Sequence, residues 1–302
     1  MTAPRPILPD QVYLVTRRCT RRQFLLTPTE RTNEIVRYCL ALATKHTGVR
    51  LNAVCVMSNH WHGVVTDPSA RLPQFLGRFH GLLAKAQNAS LGRWENLWSS
   101  EKASIVQLSS AADVLAKMAY TIANPTAAGL VESPADWPGV IASPGLNQNL
   151  SARKPQGFFA SAGPLPDSIV VRVERPEVFS QLSELEFLTR LNDAVDALVR
   201  RARHELATRD SKFLGAATVR SQSFDATPSA LAVHRELSPT IAAQSARTRV
   251  HALARKDAFT RAYRCAWQRY RTGARDVKFP AGTYALRVYA AVDCDPDPLG
   301  HK

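Results

Sequence analysis

Two short apolar runs joined by a two-residue turn constrain the fold of this chain more than any other stretch. The runs are Leu51 to Met57 and His60 to Thr66, and both are rich in residues that favour strands. Ser58-Asn59, which separates them, is typical of a turn. The pattern therefore predicts two neighbouring antiparallel strands, and the first half of the chain is expected to be a sheet built around them.

The second of these strands carries a pair of histidines. Side chains two positions apart on a strand share a face, so His60 and His62 are predicted to point outward and Trp61 into the core. Two imidazoles on one face are half of a metal site. A solvated strand face is the alternative, because short motifs of this kind also arise without any ligand.

The order of the remaining elements predicts the fold class. Apolar spacing indicates a strand at Gln11 to Cys19, helices at 27–46 and Arg71 to Leu91, a strand at Ala103 to Leu108, and a helix at Ala111 to Ala123 that Pro125 ends. The βαββαβ order predicts an α+β fold with a ferredoxin-like core. Its antiparallel sheet has the first and third strands in the middle and both core helices on one face, and a further helix carrying Tyr120 follows.

Charge indicates the class of partner. Among 302 residues there are 39 Lys and Arg against 25 Asp and Glu, a net charge of +14, which favours polyanions such as nucleic acid. No apolar run is long enough to span a bilayer, and the N-terminus has no signal-peptide core, so a cytoplasmic, nucleoid-associated protein is expected. The five cysteines form no Cys-x-x-Cys pair, which is typical of reduced thiols and not of a zinc finger or a disulfide framework.

Several basic and aromatic residues are candidate nucleic-acid contacts, because single strands bind basic grooves that carry stacking platforms. The arginines could equally form a solvated turn, and the tryptophans could fold back over the core. The predicted contacts are Arg17, Arg18, Arg21, Arg22, Lys85, Arg93, Trp94, Trp98 and Lys102.

Composition divides the chain into a domain at 1–146, a linker at 147–166 rich in proline, glycine and serine, and an appended basic α+β module at 167–302. The module is predicted to contain helices at Ser180 to Thr208 and Thr248 to Arg271, and a strand pair at Phe279 to Val292. It is interpreted as a further nucleic-acid contact, with a purely structural basic domain as the alternative.

Two motifs in this order resemble a known family. Met57-Ser58-Asn59-His60-Trp61-His62, followed by Tyr120-x-x-x-Asn124-Pro125-x-x-Ala128-Gly129-Leu130-Val131, is similar to the REP-associated tyrosine transposases of the single-tyrosine HUH superfamily, over about residues 10–140. Two departures stand out. Ser58 occupies the usual proline position, and Thr126-Ala127 replaces a common Val-Arg, which removes one phosphate or structural contact.

The resemblance implies a metal-dependent enzyme that cleaves and rejoins single-stranded, hairpin-containing DNA through a 5′-phosphotyrosine. Tyr120 would be the nucleophile, and His60, His62 and Asn124 would hold Mg²⁺ or Mn²⁺. Tyr120 and Asn124 are four residues apart and so share a helix face. A domesticated DNA- or RNA-binding regulator that no longer cleaves remains the alternative, as does a structural role for Tyr120. The sequence leaves monomer and homodimer open.

Overall fold

The structure is a computed structural model that describes residues 4–160, 163–229 and 239–296. It is an α+β protein with a mostly antiparallel six-stranded sheet. Its strands are β1 Gln11–Arg18, β2 Arg50–Met57, β3 His60–Asp67, β4 Ser104–Leu108, β5 Ile141–Ala142, β6 Asn149–Arg153, β7 Ser168–Arg172 and β8 Ile241–Ala242. Its α-helices are α1 Glu30–Thr47, α2 Leu72–Ser90, α3 Ala111–Ala127, α4 Glu184–Ala207, α5 Ala216–Ser221, α6 Ala246–Arg271 and α7 Ala285–Tyr289.

The main sheet has the strand order β5-β2-β3-β1-β4-β8. All neighbouring strands are antiparallel except β4 and β8, which are parallel. The predicted hairpin is present, since β2 and β3 pair directly on either side of Ser58-Asn59. β1 and β3 lie in the middle of the sheet, as the order of elements predicts. The histidine pair is therefore held by hydrogen-bonded strands on both sides.

Each face of the sheet is covered by a pair of helices. α1 and α2 pack on one face, where Trp61 is fully buried, as predicted from the alternation of β3. On the other face, α3 and α4 enclose an apolar cluster that includes Val64 of β3. His60 and His62 share this second face. The prediction that they point outward is wrong for His62, which is buried and lies against Tyr120 of α3, while His60 is partly buried.

α3 does not end at Pro125 but continues to Ala127. Proline lacks a backbone N–H and so removes one helical hydrogen bond. The bond that is lost here is the one to the Thr121 carbonyl, and the helix continues past it, with the Ala128 N–H donating to the Asn124 carbonyl at 2.9 Å. The start of α3 follows the usual rule, because the Ser110 side chain accepts a hydrogen bond from the backbone N–H of Asp113. Asn124 is consequently inside a regular helix, one turn after Tyr120.

The second half of the chain contributes to the same core. Within the predicted linker, β6 forms a two-stranded sheet with β7, and Leu150 and Ile169 of this pair join the cluster over α1. α4, capped reciprocally by Ser183 and Glu186, buries Phe187 against the cluster around α3. The domain division at 147–166 stays a prediction. Side chains from before and after this segment nevertheless pack in the same two apolar clusters.

One predicted element near the C-terminus is wrong. Residues 279–292, predicted as a strand pair, contain the short helix α7. Phe279 instead forms a parallel bridge with Cys294, beyond that helix, so the backbone partner lies too far along the chain for a hairpin. The predicted helices at 180–208 and 248–271 are confirmed as α4 and α6. Within the described ranges, no helix combines the length and apolarity needed to cross a bilayer.

Candidate active site

The histidine pair lies at the start of β3, in register with the end of β1. Arg18 is the residue opposite His60, and Thr16 is opposite His62. The two imidazole rings meet edge to face, with centroids 4.7 Å apart and planes at 89°. The two rings thus lie against each other on one face of the sheet, which is the arrangement that the His-x-His spacing predicts.

Each imidazole has a defined hydrogen-bond partner on its Nδ1 atom. His60 Nδ1 lies 2.6 Å from Asn59 Oδ1, and His62 Nδ1 lies 2.8 Å from Thr16 Oγ1. His62 Nε2 is buried, and it has no hydrogen-bond partner within the described part of the chain. A buried polar atom without a partner is uncommon because it loses its solvation without replacement. Its presence here points to a group that the protein alone does not supply.

Electrostatics keep both rings uncharged. Burial, together with a smaller contribution from the positive charge of Arg18, lowers the pKa of His60 from 6.5 to about 4. Burial also lowers the pKa of His62 well below its usual range, with smaller contributions from His60 and Arg18. A neutral imidazole offers a lone pair, which a protonated one does not. Both histidines are therefore in the protonation state that a metal ligand requires.

α3 brings Tyr120 to the pair. The Tyr120 ring lies edge to face on His62, with centroids 5.3 Å apart, while 39% of the residue remains exposed. Asn124 is buried one turn further along α3, and its side chain makes no hydrogen bond to either histidine among the described residues. The structure thus brings together the two predicted histidines and the predicted tyrosine, and it leaves the asparagine adjacent on the same helix.

Sequence reasoning missed one cation next to the tyrosine. Lys117 Nζ lies 5.6 Å from the centroid of the Tyr120 ring, over its face. The spacing of three residues on a helix was the available signal, since such pairs are neighbours on the helix surface. Lys117 therefore places a positive charge next to the phenol.

The donor set fits a divalent metal. His60 and His62 offer neutral nitrogen atoms, one of them buried and unpartnered, and Asn124 could add an amide oxygen. Within the described residues, no group of three or more His, Cys, Asp or Glu side chains is placed to hold a metal. A site of two imidazoles and one amide would keep several positions open for water or phosphate, as Mg²⁺ and Mn²⁺ sites do.

The two tryptophans predicted as stacking platforms differ in their exposure to solvent. Trp94 is 97% exposed, whereas Trp98 is only 8% exposed. The Trp98 indole N–H donates to the His80 carbonyl at 2.9 Å, and the Arg17 guanidinium lies over the ring at 5.9 Å. The prediction for Trp98 is therefore corrected: it is a core residue, because its ring is buried against α2. Trp94 remains available to a base.

The basic residues predicted to contact nucleic acid also differ in their exposure to solvent. Arg18, Arg21, Lys85 and Lys102 are exposed, and Arg17 and Arg22 are partly buried. Arg93 is partly buried and lies 3.4 Å from Glu95 and 3.8 Å from Asp225, so its charge is already compensated within the protein. The four exposed side chains are therefore more accessible to a polyanion than Arg93 is.

Comparison with known proteins gave matches among solved structures. No family model matches the chain, and the comparison with curated proteins gave no significant match. One similar structure is that of a REP-associated tyrosine transposase bound to a REP hairpin, with a TM-score of 0.40 and 17% identity, covering 55% of this chain and 94% of that one. Another is a protein from Deinococcus radiodurans R1 named as a candidate transposase, with a TM-score of 0.28 and 18% identity, covering 35% of this chain and 85% of that one.

Proposed function

We propose that this protein is a metal-dependent, single-tyrosine DNA transposase of the HUH type that cleaves and rejoins single-stranded, hairpin-containing DNA. We infer further that its core is the ferredoxin-like unit of such enzymes, with the order β2-β3-β1-β4. One observation supports the activity most directly. A partly exposed phenol, Tyr120, rests on His62, a buried neutral imidazole whose Nε2 has no hydrogen-bond partner within the described ranges.

The proposed reaction is a transesterification. The Tyr120 oxygen attacks the phosphorus, a P–O bond to Tyr120 forms, and the bond from phosphorus to the leaving 3′ oxygen breaks. The products are a 5′-phosphotyrosine and a free 3′-hydroxyl, and attack by a 3′-hydroxyl reverses the step and joins strands. The number of phosphodiester bonds is conserved, so no nucleotide cofactor is needed.

The residues around Tyr120 would have different roles in this reaction. Mg²⁺ or Mn²⁺, held by His60, His62 and Asn124, would act as a Lewis acid that neutralises charge on the phosphate. The contact with His62 fixes the direction of the Tyr120 ring, and Lys117 lies where it would balance negative charge on the phenol oxygen or the phosphate. Tyr120 is 39% exposed, and an approaching DNA strand would require such exposure.

A second surface supports a nucleic-acid partner. α6 is 26 residues long, about 39 Å at 1.5 Å per residue, and it exposes a single acidic residue, Asp257. Its exposed basic residues are Arg247, Arg249, Arg255, Arg261, Arg264, Arg269 and Arg271. The aromatic residues interleaved with them pack instead on a small core around Phe279. We therefore propose that α6 contacts phosphates and does not stack on bases.

The test is formation of a covalent protein–DNA adduct on labelled single-stranded hairpins with Mn²⁺ present. Wild-type protein is expected to give an adduct and Tyr120→Phe none, because phenylalanine keeps the ring contact with His62 and lacks the attacking oxygen. Tyr289→Phe is the matched control, since Tyr289 is 81% exposed and is expected to leave the adduct unchanged. An undiminished adduct with Tyr120→Phe would contradict the proposal. Wild-type protein that binds hairpins but forms no adduct would favour a non-cleaving regulator.

A further inference from the structure

The amide of Asn59 has only one orientation that satisfies its neighbours. Its Nδ2 donates to the carbonyl of Arg22 at 3.1 Å, which turns Oδ1 toward His60 Nδ1 at 2.6 Å. The backbone around it is also held, because the Asn59 carbonyl accepts a hydrogen bond from Cys19 N–H at 2.8 Å. Asn59 is thus more than a turn residue, since both ends of its side chain are engaged.

This orientation decides which nitrogen of His60 carries the proton. An amide oxygen can only accept, so the hydrogen bond requires a proton on His60 Nδ1. A neutral imidazole has one proton, and its Nε2 is then left as a lone pair. Asn59 therefore presents His60 to the site in the tautomer that ligates through Nε2.

Thr16 makes the corresponding contact with His62. Its hydroxyl lies 2.8 Å from His62 Nδ1, and His62 Nε2 is buried with no partner in the part of the chain that the structure describes. A proton on Nε2 would be a buried donor with no acceptor, whereas a proton on Nδ1 is accepted by Thr16 and leaves Nε2 as a lone pair. A bound cation satisfies that lone pair, while it could not satisfy an N–H.

We infer that Asn59 and Thr16 are positioning residues that hold His60 and His62 as Nδ1–H tautomers, so that both Nε2 atoms are ready to bind a divalent cation before it arrives. The inference rests on the proposed function for the identity of the ligand. Outer partners of this kind set both ring direction and tautomer in metal sites, and their loss typically costs tenfold to a hundredfold in metal affinity.

Nitrogen NMR of the metal-free protein tests the tautomers directly. At neutral pH, long-range proton–nitrogen spectra of wild-type protein are expected to show unprotonated Nε2 on both rings. Thr16→Val removes the acceptor at nearly constant shape and is expected to disturb His62 alone, and Thr16→Ser is expected to restore it. Asn59→Ala is expected to disturb His60 alone, because it removes the acceptor for the proton on Nδ1.

Calorimetric titration with Mn²⁺ alone tests the consequence. Thr16→Val and Asn59→Ala are each expected to weaken binding by about tenfold to a hundredfold, and Thr16→Ser to bind close to wild type. Circular dichroism checks that each variant is folded. Unchanged tautomers and Mn²⁺ affinity in both disruptive variants would overturn the inference and leave the Tyr120 adduct assay untouched. If wild-type protein binds Mn²⁺ no better than His62→Ala, the metal part of the proposed function fails together with this inference.

Discussion

Gly63 is the residue of β3 whose substitution should reveal most about how the histidine strand is packed. A Cβ atom added there would lie 2.4 Å from Cζ3 of the Trp61 ring, far inside van der Waals contact. Trp61 has no free space to yield, since it is fully buried, lies edge to face on Phe79 at 5.1 Å, and donates from its indole N–H to His80 Nε2 at 3.0 Å. Gly63→Ala must therefore displace the ring.

The expected size of the effect follows from three contributions. Overpacking a full core costs about 1–3 kcal/mol. Weakening the buried hydrogen bond to His80 costs about 1 kcal/mol. Alanine recovers about 0.5–1 kcal/mol because it restricts the unfolded chain more than glycine does. We expect Gly63→Ala to lower the free energy of unfolding by about 2 kcal/mol, measured by urea denaturation with far-ultraviolet circular dichroism.

Gly81→Ala is the matched control. Gly81 is exposed within α2, and an added Cβ would meet nothing within 4 Å. The same substitution is therefore expected to raise the free energy of unfolding there by about 0.5–1 kcal/mol, the usual gain for replacing glycine inside a helix. A Gly63→Ala protein as stable as wild type would refute the packing argument, because the ring would then have room to move.

Two further predictions concern acid sensitivity and DNA binding. Burial, with the charge of Arg17, lowers the pKa of His80 from 6.5 to about 3. Between these two pH values the imidazole is protonated in the unfolded chain but not in the folded chain, so the free energy of unfolding falls as the pH falls. His80→Gln, which keeps an acceptor for the neighbouring indole, is expected to flatten this fall by up to about 1.4 kcal/mol per pH unit in urea titrations between pH 6.5 and 4, and an unchanged profile would contradict it. We also expect the binding constant for single-stranded DNA to depend less steeply on salt when Arg255, Arg261 and Arg264 of α6 are changed to Gln. The negative slope of log binding constant against log salt concentration, measured by fluorescence anisotropy, should become shallower by about 2. An unchanged slope would show that α6 is not part of the interface.

The local features of the site were predictable because they depend on backbone geometry. Alternation along β3 places His60 and His62 on one face, and helical spacing places Tyr120 and Asn124 one turn apart. The exception was Pro125, where a local rule predicted an end and the helix continued to Ala127. A rule about average conformational preference does not decide a single position near a helix end.

Contacts between distant segments could not be predicted in the same way. Trp94 and Trp98 are four residues apart in the same loop, yet one is exposed and the other buried, because only Trp98 faces α2. Thr16 lies beside His62 because of the register of β1 on β3, which no short motif encodes. The apolar stripe of α4 was recognisable in the sequence, but only the structure shows that it packs against the cluster around α3.

The sequence by itself determined the type and order of most elements, and with them the shared face of the two histidines and the helix of the tyrosine. Periods of 2 and 3.6 residues are properties of the backbone, so they can be recognised in the sequence without knowing any partner. Only the tertiary structure decided that Tyr120 of α3 rests on His62, and that His62 Nε2 is buried with no hydrogen-bond partner among the residues the structure describes. Burial and hydrogen bonding depend on which distant segments meet, and that is settled by packing of the whole chain.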